Sequence, residues 1–468
     1  MTYNTETKKT TGIINHEQIM TVLAWVDANK DNKPLINEIM RKAREQKGLL
    51  HAEAALLLEY GDQDEIFSLA RSIKDKFYGN RIVLFAPLYL SNYCVNGCTY
   101  CPYNCRNKNI ARKKLTQDEI SREVIALQEM GHKRIVIEAG EDPKNNPIEY
   151  ILESIETIYG TKHKNGAIRR LNVNLAATTV QEYKMLKQAG IGTYILFQET
   201  YHEEQYKKLH PSGFKSGYSW HIEAMDRAMQ GGIDDVGIGV LFGLADYRYE
   251  FLALLMHCEH LEKTYGVGPH TISVPRIKAA DDINLDSFNN RIDDATFSKL
   301  VACIRVSAPY TGIIVSTRES TESRKKVLDL GVSQISGGSR TSVGGYEEKK
   351  QENTEQFEIS DNRSLGEVVR WLMEIGYVPS FCTACYRQGR TGDRFMELCK
   401  SGQIHNFCQS NALMTLQEYL IDYSDEDTAV IGQKLISKEL LNIPDEKTRS
   451  LIAQKLEKIK EGSRDFRI

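Results

Sequence analysis

The sequence predicts an α/β protein built on a closed parallel (β/α)8 TIM barrel, preceded by a helical extension and followed by a mainly helical region. Three observations lead there. Between residues 81 and 375, eight short apolar or β-branched runs alternate with stretches of helical periodicity. Eight such β-then-α units fall in about 280 residues, the length of one closed barrel. Polar and glycine-rich residues gather just after the runs, where such a barrel places its functional rim. An open doubly wound sheet would alternate as well, so the count of eight is what selects the barrel.

Residues 1–80 form the extension. Ile19, Val22, Leu23 and Val26 recur at helical spacing, as do Ile66, Leu69, Ala70 and Ile73. These stripes are packing faces. Residues 81–375 form the barrel, with strands expected at 82–90, 134–138, 172–175, 193–197, 235–240, 271–274, 312–316 and 332–335. Thr116 and Glu119 have capping-box spacing and mark a helix start. Residues 251–261 are apolar at helical spacing. The polar stretch 345–363 reads as a solvated loop, and a helix follows over 364–375. Residues 376–468 make the C-terminal domain.

Composition excludes several classes. The net charge is −3, with no long basic run, which argues against nucleic acid. No apolar run is long enough to span a bilayer. Met1 to Gly12 is polar and lacks the apolar core of a signal peptide. Ten cysteines without a secretion signal point to a reducing cytoplasm and to metal or redox chemistry.

Cys94, Cys98 and Cys101 stand in one loop directly after the first run, spaced C-x3-C-x2-C. Most iron–sulfur clusters take four thiolates. Three leave one iron with an open position, where substrates bind. Zinc competes as a reading, although structural zinc sites use paired knuckles. The spacing, with aromatic Tyr100 before the last cysteine, resembles the signature of the radical S-adenosylmethionine superfamily. That resemblance implies a 4Fe-4S cluster whose open iron is chelated by S-adenosylmethionine.

Other rim segments fit the resemblance. Ala139-Gly140-Glu141 follows the second run and is similar to the superfamily segment whose carbonyls and carboxylate hold the ammonium group of S-adenosylmethionine. A fixed amine needs convergent oxygen acceptors. Gln198 and Glu199 follow the fourth run, and Glu199 is a candidate for the ribose hydroxyls. Gly237–Gly243, including Gly239 and Leu241, lets backbone approach a flat adenine. Arg276, Arg318, Ser336 and Ser339 end strands six to eight and are candidates for gripping a substrate carboxylate, since a guanidinium fork matches one bidentately.

A second set, Cys382, Cys385 and Cys408, has the spacing C-x2-C-x22-C, with Cys399 between as a candidate fourth ligand. A structural zinc site remains the competing reading. With the segments 137–143, 196–202, 235–244 and 268–276, the chain resembles the HydG family of FeFe-hydrogenase maturases, which are tyrosine lyases. The resemblance implies two 4Fe-4S clusters, the second carrying an extra iron bound by His270, which stands just before strand six. It implies cleavage of L-tyrosine at Cα–Cβ to p-cresol and dehydroglycine, and conversion of dehydroglycine to carbon monoxide and cyanide. It also implies a reduced donor such as ferredoxin or flavodoxin and other hydrogenase maturases as partners. The two clusters then lie at opposite ends of the barrel. A tunnel must join them, with Ala176, Ala177, Gly239 and Gly337 as small residues that leave room. The alternatives are a 2-iminoacetate synthase with a structural C-terminal metal, and an iron–sulfur scaffold without turnover.

Overall fold

The computed structural model describes residues 12–347, 353–400 and 404–468. Four helices lead in: α1 (His16–Ala28), α2 (Lys33–Ala43), α3 (His51–Tyr60) and α4 (Gln63–Tyr78). Asn15, Asn32 and Asp62 cap α1, α2 and α4, each side chain accepting from a backbone N–H in the first turn. Ile66, Leu69, Ala70 and Ile73 are buried as expected. Helices α3 and α4 pack on the outer barrel helix Asp294–Ser307, so the extension clads the barrel wall.

The barrel strands are β1 (Arg81–Ser91), β2 (Arg134–Ala139), β3 (Arg170–Asn174), β4 (Tyr194–Glu199), β5 (Val236–Val240), β6 (Thr271–Ser273), β7 (Gly312–Val315) and β8 (Gln334–Ser336). All pair in parallel and in order, and β8 returns to β1 through Val83↔Gln334, Leu84↔Ile335 and Phe85↔Ser336. That closes the eight-stranded (β/α)8 barrel. The helix Gln117–Glu129 starts at Thr116 with the expected capping box.

Two features escape the sequence pattern. A hairpin of two-residue strands, Lys162–His163 with Gly166–Ala167, interrupts the connection before β3. A ninth strand, β9 (Val378–Ser380), adds in parallel to the start of β1 with Arg81↔Val378, Ile82↔Pro379 and Val83↔Ser380. The sheet thus runs past residue 375. It carries the chain into Cys382 at the N-terminal rim of the barrel. The helices Ile404–Tyr423, Glu426–Leu441 and Glu446–Lys460 complete the C-terminal part. Among the described residues, no helix is long and apolar enough to cross a membrane.

The stretch 345–363 corrects the expectation of a solvated loop; residues 348–352 lie outside the described part. Thr354, Phe357 and Asp361 are buried. Glu358 N–H donates to Ala279 O and Ser360 N–H to Thr317 O, so the segment folds back across the C-terminal rim. What pins it is charge. Asp361 pairs with Arg324 and Arg363, and Arg324 and Asp361 are both buried, the arginine also donating to Ser336 O at 2.6 Å. A chain that inserts one carboxylate between two guanidinium groups cannot remain solvated.

Removing one member leaves a buried charge without a partner. Asp361→Ala should lower the unfolding free energy by about 3–5 kcal/mol, read as a shifted urea midpoint. The Asp361→Ala/Arg324→Ala pair should cost less than the sum of its single changes.

Candidate metal and substrate cavities at the two barrel ends

At the C-terminal rim, β1 runs into the Cys94–Cys101 loop, which has no regular structure and is held by polar staples. Arg112 donates to Asn92 O at 2.6 Å, Tyr103 O at 2.9 Å and Asn104 O at 2.7 Å. Gly97 N–H donates to Ser212 O and Thr99 N–H to Leu209 O, which ties the loop to the segment after β4. Val95 N–H donates to Glu141 O at 2.8 Å, which ties it to the end of β2. Gly140 is required there, because a Cβ would overlap the Tyr93 carbonyl oxygen.

The three thiols line one cavity of about 230 Å³ that opens at this rim. Burial pushes all three thiols above the ordinary range. Opposing it, backbone N–H groups of Asn96 and Glu141 donate to Cys94, and that of Tyr103 to Cys101. Such donors favour the thiolate form. Among the described residues no three thiol, imidazole or carboxylate groups converge closely enough to share one ion. Three thiols around a space suit a cluster, whose irons each take one sulfur, better than a single ion.

Most of the expected rim residues meet here. Tyr100, Ala139, Gly140, Glu141, Glu199, Leu241, Arg318, Ser336 and Ser339 all line the cavity with Cys94, Cys98 and Cys101. Tyr100 donates to His210 Nε2 at 2.7 Å, and His210 Nδ1 lies 2.7 Å from Tyr206 O, which fixes the tautomer. Arg318 lies over the Phe357 ring at 3.6 Å, and its guanidinium has no hydrogen-bond acceptor among the described residues. Ser339 Oγ is buried without a partner. Ser336 Oγ accepts from Thr317 N–H at 3.1 Å, leaving its own hydrogen to donate. Two hydroxyls and a guanidinium thus face the space with capacity to spare.

Three expectations are corrected. Arg276 does not reach the cavity, because Glu319 and Asp294 engage it through buried and half-buried ion pairs. Gly239 sits in the wall, where a Cβ would stand 2.6 Å from the Phe197 ring; its smallness makes room for that phenyl group. Gln198 alternates to the outer face of β4 and is absent from the lining.

Sequence reading missed several lining residues. Lys215 donates to Glu199 Oε1 at 2.8 Å. Burial opposes its charge, but the Glu199 carboxylate and the nearby Cys98 hold it above the usual range. Asn96 donates to Glu141 Oε2 at 2.6 Å and accepts from Lys215 N–H at 3.0 Å. Glu199 adopts a left-handed φ of +68° at a register shift between β4 and β5. Glu138 faces the same space, and burial raises its carboxyl to about 7, partly offset by Arg318, Tyr89 and Asn174. Its inward register on β2 was the available signal.

The opposite rim holds the second set. Cys382, Cys385, Cys408 and His270 line one cavity with Arg81, Arg134 and Arg170. Ala384 N–H lies 3.4 Å from Cys382 Sγ. Cys385 and Cys408 are hydrogen-bonded to each other, which raises the first thiol and lowers the second. His270 Nδ1 is 3.6 Å from Asp235 Oδ1, and burial lowers the imidazole to about 4, keeping it neutral and able to offer a lone pair. Cys399 is buried beside Val267, Phe395 and Ile404 and does not line the cavity.

The two cavities lie one above the other in the lumen. Val83, Arg134, Gly312 and Gln334 line the lower one, and the next inward positions on the same strands, Phe85, Val136, Ile314 and Ser336, line the upper. They are separate spaces, and no residue lines both. Ala176 and Ala177 line the upper space, whereas Gly337 packs against Leu365 and Val368 on the outer face and clears no passage.

Residues 88–255 match the radical SAM superfamily, and residues 273–378 match the biotin and thiamin synthesis associated domain. The chain is 31% identical over 321 residues to 2-iminoacetate synthase of Escherichia coli strain K12, covering 68% of this chain and 82% of that protein. It is 28% identical over 272 residues to the [FeFe] hydrogenase maturase subunit HydE of Thermotoga maritima, covering 58% and 72%. A crystal structure of HydG, a maturase of the [FeFe]-hydrogenase, matches with a TM-score of 0.94 and 54% identity over 98% of this chain and all of that one. HydG from Carboxydothermus hydrogenoformans matches with a TM-score of 0.82 and 38% identity over 96% and 100%.

The Glu138 carboxyl keeps its proton up to about pH 7 when folded, against an ordinary value of 4.5. The folded state therefore binds more protons between those values, and stability falls as pH rises through that window. Glu138→Gln removes the dependence. Unfolding midpoints of wild type and variant should converge near pH 4 and separate toward pH 8, the variant being the more stable.

Proposed function

The chain belongs to the HydG family of radical S-adenosylmethionine maturases, and from that premise we propose that it cleaves L-tyrosine at Cα–Cβ to p-cresol and dehydroglycine and converts dehydroglycine to carbon monoxide and cyanide for the FeFe-hydrogenase active site. The observation that carries this reading is the stack of two cavities in one lumen, each ringed by three thiols.

Cys94, Cys98 and Cys101 would hold the cluster that S-adenosylmethionine completes. When bound, that cluster supplies the electron that splits the sulfonium and releases a 5′-deoxyadenosyl radical. Around it, the Gly140 carbonyl and the Glu141 carboxylate suit the methionyl ammonium group, and the Lys215–Glu199 pair suits the carboxylate and ribose ends. Arg318, with Ser336 and Ser339, supplies donors for the tyrosine carboxylate and fixes the amino group toward the nucleoside. The 353–363 segment and Phe357 exclude water from the radical.

Cys382, Cys385, Cys408 and His270 would hold the second cluster and its extra iron, which supplies the chemistry that yields carbon monoxide and cyanide. Dehydroglycine would pass down the lumen from the upper cavity to the lower one. The electron donor would be a reduced ferredoxin or flavodoxin, and the product's recipients the other hydrogenase maturases, all in the cytoplasm.

Anaerobic incubation with S-adenosylmethionine, dithionite and tyrosine tests the assignment. Wild type should yield 5′-deoxyadenosine, p-cresol and carbon monoxide. Cys94→Ala should abolish all three, whereas Cys382→Ala should keep p-cresol and lose carbon monoxide. Carbon monoxide formation by Cys382→Ala at the wild-type rate would reject the role of the lower site. Arg318→Gln should lower kcat/KM for tyrosine about 100-fold, the typical cost of removing one partner of a buried charge pair.

A further inference from the structure

Glu250 is a carboxylate buried to 1% exposure on the helix Tyr247–Tyr265, which follows β5. Hydrogen-bond donors answer its charge. Thr200 Oγ donates to Glu250 Oε1, and Tyr201 N–H donates to Oε2 at 2.8 Å. His202 N–H donates to Thr200 Oγ at 3.2 Å and closes the cluster. Asp246, Tyr201, Tyr218 and Tyr249 stand around the carboxyl, and none of them is a cation. Burial raises it to about 7, and the donors of Thr200, Tyr201 and His202 offset part of that cost. It sits in the first turn of its helix, where the N-terminal dipole favours negative charge.

The residues that Glu250 grips follow Glu199 directly. Glu199 holds a left-handed φ of +68° at the register shift between β4 and β5. A non-glycine residue keeps that conformation only where its surroundings over-determine it. The turn makes Glu199 face two ways. Its carboxylate meets Lys215 Nζ at 2.8 Å, and its carbonyl accepts from Leu241 N–H at 3.0 Å. Glu199, Lys215 and Leu241 line the upper cavity, whereas Thr200, Tyr201 and Glu250 do not. Any effect of Glu250 on a ligand must therefore pass through this turn. A carboxylate suits the task because both of its oxygens accept. An amide offers one acceptor, and its NH2 group would face a donor on the other side.

We propose that Glu250 is a positioning residue for the nucleoside end of S-adenosylmethionine: through Thr200 and Tyr201 it locks the turn that aims the Glu199 carboxylate at the ribose and the Leu241 backbone at the adenine. This rests on the reading that the upper cavity binds S-adenosylmethionine. The helix after β5 thereby holds the end of β4 in register with the end of β5, and both strand ends face the same ligand. Loss of the grip weakens that ligand selectively. Arg318, Ser336 and Ser339, the donors for the tyrosine carboxylate, come from the far side of the rim, after β7 and β8, and share no hydrogen bond with the turn.

The test uses the anaerobically reconstituted full chain, reduced with dithionite and titrated with S-adenosylmethionine. The readout is the electron paramagnetic resonance signal of the upper cluster, followed to half-saturation. Glu250→Gln, at wild-type iron and sulfide content, should raise the half-saturating concentration about tenfold, the usual worth of a hydrogen bond to a buried charge, and leave the KM for tyrosine unchanged. Thr200→Val should raise it in the same direction, and Thr200→Ser, which keeps the hydroxyl, should restore it; this pair decides the matter where Glu250→Gln fails to fold. Adding Glu250→Gln to Glu199→Gln should cost less than the sum of the two changes, since both act through one carboxylate. Wild-type half-saturation in a loaded Glu250→Gln, or equal losses for S-adenosylmethionine and tyrosine, would overturn the proposal, as would equal titrations of Thr200→Val and Thr200→Ser. A wild-type signal that S-adenosylmethionine leaves unmoved would instead reject the upper site's assignment.

Discussion

Three backbone pairs between β1 and β8 close the barrel, and both cavities depend on that closure. β1 is the strand that spans them. It pairs with β2 along its second half, with β8 at its middle and with β9 at its start. At ~3.3 Å per residue its eleven residues reach about 33 Å from rim to rim. Its last residues release the Cys94–Cys101 loop, and its first residue is Arg81. The partner of its first turn, β9, delivers Cys382. A slip of one residue between β1 and β8 would turn Val83 and Phe85 outward and fill both cavities from the wrong face.

The two ends differ in charge. Glu138, Glu141 and Glu199 line the upper cavity against Lys215 and Arg318, a mixed field that suits a ligand carrying both signs. Three arginines line the lower cavity, which suits anions. The field at one end would hold a ligand in a fixed orientation, and that at the other would draw negative charge inward.

Some of the unmet polar groups stand at the two sites. Glu199 takes a left-handed backbone at a sheet irregularity, and its carboxylate thereby meets Lys215. Ser339 Oγ, His270 Nδ1 and Arg81 Nε are buried without partners, all of them in or beside a cavity. Other buried charges are answered by protein groups, among them Arg324 by Asp361, and Arg305 by the carbonyls of Ala308, Pro309, Thr311 and Gly331.

The chain pattern by itself determined the eight-strand alternation, the thiol triplets and the segments that follow the strands, because periodicity and spacing are local properties of sequence. It also placed Arg318, Ser336 and Ser339 beside Cys94, since a parallel barrel sends every strand end to the same rim. Only the tertiary structure decided which rim residues face inward. Arg276 turns to Glu319 and Gly239 yields to Phe197, because those partners are distant in sequence and compete for the same side chain or space. The same holds for the lower cavity. An arginine at a strand start is unremarkable in a linear sequence, and Arg81, Arg134 and Arg170 become one charged surface only when closure sets β1, β2 and β3 side by side and β9 folds the second cysteine set beneath them.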